Sequence, residues 1–409
     1  MKTLYRRVAG IDVHRMRQVG TILLEQDDGS TEKHTREFGG FKQDLQWLVG
    51  WLKRYQVQLV VMESTGIYWK SLYAHLERAG IETWVVNAHH IKHVPGRKTD
   101  MGDSHWLAEL GRFGLVSGSF IPPQDLRELR LISRYRRKLG TTLAGEKNRL
   151  HKVLDDAGIK LGAVVSDING VSAQAMLEGL LGGEEPGALI DLAKGRLKAK
   201  RKELLLALEG ELSARHLLVL QEIQGHIRHL ERQITELDDY LIGAMEPYRW
   251  AWELLQTIPG IDAIAAALIL IEIGDDMSRF GSPDRLASWA GLCPGNHESA
   301  GKRKSGKTRK GNHIVRYLLC EAANAARRTQ SVFASKYKGL AIRRGHKKAI
   351  VALAHKLIRT IYVILSRREP YRDSGIDYQA AAVAKNAPRW IRALKQFGYL
   401  PTKPTPQAA

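Results

Sequence analysis

Apolar and polar positions change period several times in the first quarter of the chain. The β-branched stretches RRVAGIDVHR, QVGTILLEQ and STEKHTREF are separated by turn residues and predict three short strands. A helix is predicted over Phe41–Tyr55, then an apolar strand at QLVVMEST, a helix at IYWKSLYAHLERAG and a strand at ETWVVNA. A last helix opens near Asp100 and runs through Leu110. This order predicts an α/β domain over residues 1–120.

The middle of the chain, residues 121–248, is predicted to be helical. Its apolar positions alternate in steps of three and four along one face: Leu220, Ile223, Ile227, Leu230, Ile234, Leu237 and Leu241. Such a seam is typical of a coiled coil between copies of a chain. The alternative is a helical hairpin within one chain, against a helix at 124–157. We assign no role to segment 160–198.

A mostly helical domain is predicted for residues 249–370, followed by a tail at 371–409. The stretch LLQTIPGIDAIAAALILIEIG reads as a helix, a Pro259-Gly260 turn and a second helix, which is similar to a helix-hairpin-helix element. The turn amides of such elements face a phosphate at a helix N-terminus. Asp262 stands where many of them carry glycine, so phosphate contact and a packing role are both open.

Four carboxylates are spaced along the first domain: Asp12 in GIDVH, Glu63 in VVMEST, and Asp100 with Asp103 in KTDMGDSHW. Ionised carboxylates a few ångströms apart repel by about 4 kcal/mol per pair near a protein surface, so a chain that gathers them usually does so around a cation. Mg²⁺ prefers such oxygen ligands and completes its shell with water and phosphate. The set therefore predicts a site for Mg²⁺ or Mn²⁺ and phosphodiester chemistry.

The carboxylates also fit the element order of the ribonuclease-H fold, which Holliday-junction resolvases and many transposases share. Asp12 then lies on the first strand, Glu63 at the end of the fourth, and Asp100 with Asp103 on one helix face at i, i+3. Taken singly, Asp100 and Asp103 also suit a helix N-terminus, and Glu63 suits a solvated strand end. Asp12 needs a compensating partner, because an aspartate within an apolar strand is costly to desolvate.

Two long blocks resemble the DEDD transposases of bacterial insertion sequences, the insertion-sequence 110 family. One holds GIDVH, VVMESTGIYWKSLY and GRKTDMGDSHWLAEL; the other holds LLQTIPGIDAIAAALILIEIGD and RFGSPDRLASWAGLCPGNHESAGKRKSGKTRKGN. Members of this family are described as RNA-guided bridge recombinases. The resemblance implies a transposase that acts on DNA with a guide RNA, a divalent metal held by Asp12, Glu63, Asp100 and Asp103, and a C-terminal transposase domain.

The resemblance further implies that Ser299 attacks DNA and becomes a covalent phosphoserine. Many relatives carry two adjacent serines here, whereas Glu298 precedes Ser299 in this chain, so Ser305 is a second candidate. The surrounding basic run predicts phosphate contacts from Lys302, Arg303, Lys304, Lys307, Arg309, Lys310 and Arg316. Without the family, Ser299 reads as a loop serine beside a solvated basic run, because a serine hydroxyl needs activation by a base or a metal.

Three other functions compete with this one. A tyrosine recombinase would use His313 and Arg316 with Tyr317, Tyr337 or Tyr362, but needs no metal and leaves the carboxylates unexplained. A metal-dependent resolvase-type nuclease would use the carboxylates without a serine. A purely nucleic-acid-binding protein would have no use for clustered carboxylates.

The net charge of +20 predicts strong, salt-sensitive contact with nucleic-acid phosphates, including room for a guide RNA beside DNA. The two cysteines have no metal-ligand spacing and suit a reducing cytoplasm. No signal-peptide core or uninterrupted membrane-length apolar span is evident, so we expect a cytoplasmic, nucleoid-associated protein. Strand exchange between two duplexes needs several active sites, so we expect a homo-oligomer, a dimer or a tetramer.

Overall fold

A computed structural model describes residues 3–64, 66–87, 91, 102–295, 297–299 and 301–400 of the chain, without the side chains of 297–299, 302–305, 379 and 382. The chain divides into an N-terminal unit, Met1–Gln124, and a C-terminal unit, Asp125–Ala409. The finer boundaries at 120, 248 and 370 stay predictions.

The N-terminal unit is a mixed five-stranded sheet with helices on both faces. Its elements are β1 (Arg7–Val13), β2 (Arg17–Glu25), β3 (Thr31–Gly39), α1 (Lys42–Arg54), β4 (Leu59–Glu63), α2 (Trp69–Arg78), β5 (Glu82–Val86) and α3 (Asp103–Arg112). The strand order is β3-β2-β1-β4-β5, with β1, β4 and β5 parallel and β2 and β3 antiparallel to their neighbours. The predicted α/β domain is therefore confirmed.

Side-chain alternation along the central strands divides the core into two layers. Ile11 on β1 and Met62 on β4 pack with α1 and α2 on one face of the sheet. Val8 on β1 and Val61 on β4 pack with α3 on the other face. Both strands are apolar on both faces, as is usual for central parallel strands covered by helices.

In its described residues, the C-terminal unit is helical apart from one hairpin. Its helices are α4 (Gln124–Asp156), α5 (Leu161–Val164), α6 (Val171–Leu181), α7 (Pro186–Leu189), α8 (Arg201–Leu208), α9 (Ala214–Gly243), α10 (Arg249–Gln256), α11 (Ala263–Ile273), α12 (Pro283–Trp289), α13 (His313–Ala326), α14 (Val332–Arg367) and α15 (Tyr378–Gln396). Short 3₁₀ turns occupy Ile190–Leu192, Gly195–Lys200, Glu246–Tyr248 and Met277–Arg279. The hairpin strands are β6 (His297–Ser299) and β7 (Lys302–Ser305).

Helices α4 and α9 form an antiparallel pair within one chain. Ion pairs join Arg136 to Asp238 and Lys147 to Glu231, the latter at 2.8 Å. The predicted seam is partly buried here: Leu220, Ile223 and Ile227 pack in one cluster with α4 and the short helices. The intramolecular alternative thus accounts for this end of the seam, and a coiled coil between copies stays a prediction.

Segment 160–198 folds onto this pair of helices. Met176 and Leu177 of α6 and Leu189 of α7 are buried in the same cluster as Leu150 and Leu154 of α4. The segment is therefore an ordered helical insertion whose apolar residues are covered by the helices that flank it.

The predicted helix–turn–helix at Pro259-Gly260 is present as α10 and α11. Gly260 has φ +90°, and a Cβ there would lie 2.5 Å from the Ala326 nitrogen, so the turn packs directly on the end of α13. Asp262 is the N-cap of α11, and its carboxylate accepts a hydrogen bond from the Ala265 amide at 2.8 Å. Asp262 therefore has a capping role in this fold, and phosphate contact at this turn stays a prediction.

A fully buried carboxylate joins three helices of the C-terminal unit. Glu272, on α11, is 0% exposed. Its oxygens accept hydrogen bonds from Arg134 at 3.1 and 3.2 Å and from the Asn312 amide at 2.9 Å, and Arg130 lies 3.3 Å away. Burial lowers the pKa of Arg130 to about 10, which still leaves it charged at neutral pH. Removing one partner would leave a buried charge without compensation, which is strongly destabilising. These groups therefore hold α4, α11 and the start of α13 together.

Helix α14 is the one described helix that is long and apolar enough, by length and composition, to cross a membrane, and charged residues such as Lys356 and Arg359 interrupt its apolar sequence. Half of its apolar window is buried within the protein, and the helix is broken at Gly345, where φ is 73° and ψ is 167°. Leu353, Leu357 and Ile361 are fully buried. These residues show α14 in the role of a core helix.

Candidate active site

Helix α3 contacts the backbone of β1 directly at Gly10. A Cβ at Gly10 would lie 2.0 Å from the Ser104 carbonyl oxygen and 2.4 Å from the Ala108 nitrogen. At the other end of the helix, a Cβ at Gly111 would lie 2.5 Å from Val61 Cγ2 of β4. Glycine at both positions therefore sets the separation between α3 and the central strands.

Two polar contacts fix the direction of α3 on the sheet. Near its N-terminus, the Ser104 hydroxyl hydrogen-bonds the Thr21 hydroxyl at 2.8 Å in a buried position, and Thr21 is the cross-strand partner of Gly10. Near its C-terminus, the largely buried Arg112 pairs with Glu25 at 2.9 Å. The first turn of α3 is thereby held near the carboxyl-terminal end of β1, the end that carries Asp12.

Asp12 and Glu63 occupy neighbouring positions on the face that α3 covers. The parallel ladder pairs Gly10 with Val61 and Ile11 with Met62, so the next residues in register are Asp12 and Glu63. Parallel strands lie about 4.8 Å apart, and side chains in register share a face. The sheet therefore brings two of the four predicted carboxylates together.

Asp12 has a polar partner, as its place in an apolar strand requires. Its Oδ2 lies 3.1 Å from Nε2 of His14, two residues further along the chain. The Asp12 side chain is 32% exposed, so one part of the carboxylate faces His14 and solvent. A ligand can thus reach this carboxylate from the end of the strand.

Asp103 is the first residue of α3, so the described helix begins there rather than near Asp100. The Asp103 side chain is exposed in the first turn, where a helix favours negative charge. Asp100 lies outside the described residues, and its pairing with Asp103 stays a prediction. Within the described residues, no group of three or more acidic, histidine or cysteine side chains is arranged to hold a metal.

Ser299 lies at the tip of the hairpin in the C-terminal unit. It ends β6, is paired with Lys302 of β7, and is followed by a turn in which Gly301 has φ +71°. Arg303 pairs with Glu298, and Ser305, the second serine candidate, pairs with His297 at the base. The hairpin thus brings the Ser299 backbone beside the basic strand.

The base of this hairpin is tied to the buried Glu272. Gly291 and Gly311 pass so closely that a Cβ on Gly311 would lie 2.4 Å from the Gly291 nitrogen. The next residue, Asn312, caps α13 by accepting the Ile314 amide at 3.0 Å while its own amide donates to Glu272. The loop that carries Ser299 therefore closes on the helical core at a defined point.

The remaining predicted nucleic-acid contacts lie just beyond the hairpin. Lys307, Arg309 and Lys310 are exposed, whereas Arg316 is half-buried and donates to the Thr308 hydroxyl at 3.3 Å. The side chains of Lys302, Arg303 and Lys304 are not described.

The tyrosine candidates of the rival mechanism have other contacts. The guanidinium of Arg137 lies 4.7 Å from the ring centroid of Tyr317, and the Tyr337 hydroxyl hydrogen-bonds His346 at 2.8 Å. Tyr362 is half-buried on α14.

Comparison with known proteins gives two family matches. The DEDD_Tnp_IS110 transposase model matches residues 9–159, and the model of the transposase IS116/IS110/IS902 family matches residues 252–338. The first match spans the strands with Asp12 and Glu63, and the second spans the hairpin with Ser299. The chain belongs to the IS110 family of transposases.

Named relatives agree with this family. The transposase for insertion sequence element IS1111A of Coxiella burnetii is 28% identical over 78% of this chain and 80% of its own length. A probable family 20 transposase of Pseudomonas aeruginosa is 26% identical over 78% of this chain and 90% of its own. A pilin gene-inverting protein of Moraxella lacunata is 29% identical over 45% of this chain and 58% of its own.

This IS110 transposase is thus an enzyme that cleaves and transfers DNA strands. The DEDD family to which it belongs implies the use of a divalent metal.

Some residues that shape the site in this IS110 transposase were not singled out by the sequence. His14 closes the GIDVH motif but had no assigned role, and Gly10 stands two positions before Asp12. Ser104 directly follows Asp103. The common signal is a small or polar residue within two positions of Asp12 or Asp103.

We expect Gly10→Ala to destabilise the N-terminal unit of the transposase by about 3 kcal/mol, because the new methyl group would overlap the α3 backbone. Gly50→Ala is the matched control, since its Cβ meets nothing within 4 Å in the middle of α1 and should stabilise by up to about 1 kcal/mol. Urea unfolding of both variants measures the difference. Equal stability of the two would contradict close packing of α3 at Gly10.

Proposed function

We propose that this transposase is a site-specific recombinase of a mobile element that cuts and rejoins DNA through a covalent phosphoserine at Ser299. A divalent cation held by Asp12, Glu63, Asp100 and Asp103 would complete the chemistry. The observation that carries the proposal is the register of β1 and β4, which brings Asp12 and Glu63 to adjacent positions at the end of the sheet.

The described carboxylates fit a hard divalent ion. Asp12 and Glu63 offer oxygen ligands from adjacent strands, and Asp103 begins the helix that packs over them. Oxygen ligands of this kind suit Mg²⁺ or Mn²⁺. When bound, such an ion would supply positive charge to a DNA phosphate.

The sheet order supports a ribonuclease-H-like fold for the first domain. Three antiparallel strands are followed by two parallel ones, in the order 3-2-1-4-5. In that fold the first and fourth strands lie side by side at the centre, as β1 and β4 do here.

The covalent step makes one bond and breaks another. The Ser299 hydroxyl oxygen attacks phosphorus, its proton passes to a base, and a serine–phosphate ester forms as one P–O bond of the DNA strand breaks. The departing oxygen takes a proton and becomes a strand-end hydroxyl, which can later attack the ester and restore a phosphodiester. Transfer through an ester needs no external energy source, which suits a recombinase.

The partners in this proposal are DNA, namely element ends and target, and a guide RNA of the bridge type. The net charge of +20 supports contact with both. Pairing of guide and target would then supply sequence specificity, as in other guided systems. The pilin gene-inverting relatives support site-specific action on DNA. We place the enzyme in the bacterial cytoplasm, associated with the nucleoid.

We propose a homo-oligomer, a dimer or a tetramer, as the working form. Part of the α9 seam supports this: Ile234 and Leu237 are only half-buried within the chain. A coiled coil between copies would cover them.

We expect Asp12→Asn to lower DNA cleavage at least about 100-fold in Mg²⁺ or Mn²⁺, because a metal ligand is lost. Asp27→Asn is the control, since Asp27 is 99% exposed in the β2–β3 turn and should leave the rate unchanged. The assay uses DNA with the element's ends and the RNA encoded beside it. An unchanged rate in Asp12→Asn would rule out the carboxylate site as the catalytic centre.

Ser299→Ala is expected to abolish both cleavage and joining, because no other oxygen replaces the nucleophile. Ser305→Ala, in the same hairpin, should retain both activities. Gel analysis of labelled element ends measures the two steps. If Ser299→Ala still cuts DNA in a metal-dependent way, the enzyme is a resolvase-type nuclease; if only Ser305→Ala is inactive, the nucleophile assignment moves to Ser305.

A further inference from the structure

An open cavity of about 550 Å³ lies on the C-terminal unit, and none of the site residues assigned above lines it. Its walls come from α14 and from the return segment that follows it, Glu369–Ser374. Phe333 is fully buried beside it and stacks on Tyr371 at 5.5 Å between ring centroids. The side of the cavity nearest the core is therefore apolar and aromatic.

Hydrogen bonds anchor the return segment to the rest of the C-terminal unit. The Asp373 carboxylate accepts the Val332 amide at 2.9 Å and so satisfies the start of α14. The Tyr371 amide donates to the Thr257 hydroxyl at 2.9 Å. These contacts anchor the segment that forms one wall of the cavity.

The cavity is rimmed by cations. Lys356, Arg359, Arg367 and Arg372 line it, against one lining carboxylate, Glu369. Arg359 pairs with Asp284 at 3.4 Å, but across the exposed surface, where such pairs contribute little. The four lining cations therefore outnumber the two carboxylates, Glu369 and Asp284, that lie beside them.

A fifth cation faces the same cluster. The helix is kinked at Gly345, and Lys336, before the kink, lies close enough to Lys356 and Arg359, after it, to interact with their charges. Burial lowers the pKa of the Lys336 amine, and the two neighbouring cations lower it further. His355 also has a lowered pKa, through burial and then Arg359. Lys336 and Lys356 are half-buried, and the three arginines at the rim are exposed. These five cations outnumber the nearby carboxylates of Glu369, Asp284 and Asp373, which suits an anionic ligand.

We propose that this cavity binds the phosphodiester backbone of a nucleic acid. Lys356 and Arg367 would contact phosphate oxygens, and the apolar side beside Phe333 would accept a sugar or a base edge. Arginine and lysine together are the usual phosphate ligands in proteins, and the volume is in the range of a nucleotide-sized site. The inference rests on the proposed function only in that the chain works on nucleic acid.

The test measures binding of a 30-base-pair DNA duplex and of an RNA duplex of equal length over a range of salt concentrations. Fluorescence anisotropy is recorded for the full chain, for Lys356→Gln/Arg367→Gln and for a charge-matched control, Lys53→Gln/Arg54→Gln, whose side chains are exposed on α1. Lys356→Arg/Arg367→Lys retains the charges. Circular dichroism and thermal unfolding establish that each variant is folded.

We expect Lys356→Gln/Arg367→Gln to bind about 100-fold more weakly, because it loses two charged contacts that are each worth about tenfold. The slope of log affinity against log salt should fall by about 2 for duplex DNA. The charge-retaining variant should bind like the unmodified chain. A loss of affinity for DNA alone, for RNA alone or for both supports the site. The pattern of loss identifies which nucleic acid the cavity binds.

Binding by Lys356→Gln/Arg367→Gln equal to that of the control variant would overturn the inference while leaving the proposed function standing. Failure of the unmodified chain to bind either duplex would overturn the proposed function and this inference with it.

Discussion

The direct contact of α3 with β1 at Gly10 is the constraint on which the candidate active site depends. It leaves no room for a Cβ between helix and strand, and the Ser104–Thr21 hydrogen bond then determines which end of the helix lies beside Asp12. The parallel register of β1 and β4 adds Glu63 at the neighbouring position. Carboxylates far apart in sequence therefore come together through backbone geometry before any metal is considered.

The C-terminal unit uses buried charge for a similar purpose. Glu272 accepts hydrogen bonds from Arg134 of α4 and from Asn312, which caps α13 directly after the loop that carries Ser299. Separating the buried Glu272 carboxylate from its partners would cost free energy, because it would leave an uncompensated buried charge. The Glu272–Asn312 contact therefore constrains where the hairpin leaves the core. In each unit a close contact in the core positions a candidate catalytic residue. Gly10 does so for Asp12, and Glu272 does so for the hairpin that carries Ser299.

The sequence predicted the elements that have strong periodicity or clear turns. Strands β1 to β5 and helices α1 and α2 lie within a few residues of their expected places, because β-branched runs and the 27–29 turn are local signals. The start of α3 was placed too early, since Gly102 rather than Asp100 is its N-cap. The contacts of Gly10 and Glu272 were not predictable, because each depends on a partner that tertiary packing brings close. The contact of His14 with Asp12 is local and lies within the GIDVH motif.

The most direct test of the account is to incubate the protein with Mg²⁺, its element's ends and the RNA encoded beside it, trap any covalent protein–DNA adduct, and map the modified residue by mass spectrometry. The account predicts a DNA phosphate on Ser299 that forms only when metal is present. An adduct on Tyr317, Tyr337 or Tyr362, or metal-dependent cutting with no adduct, would contradict it.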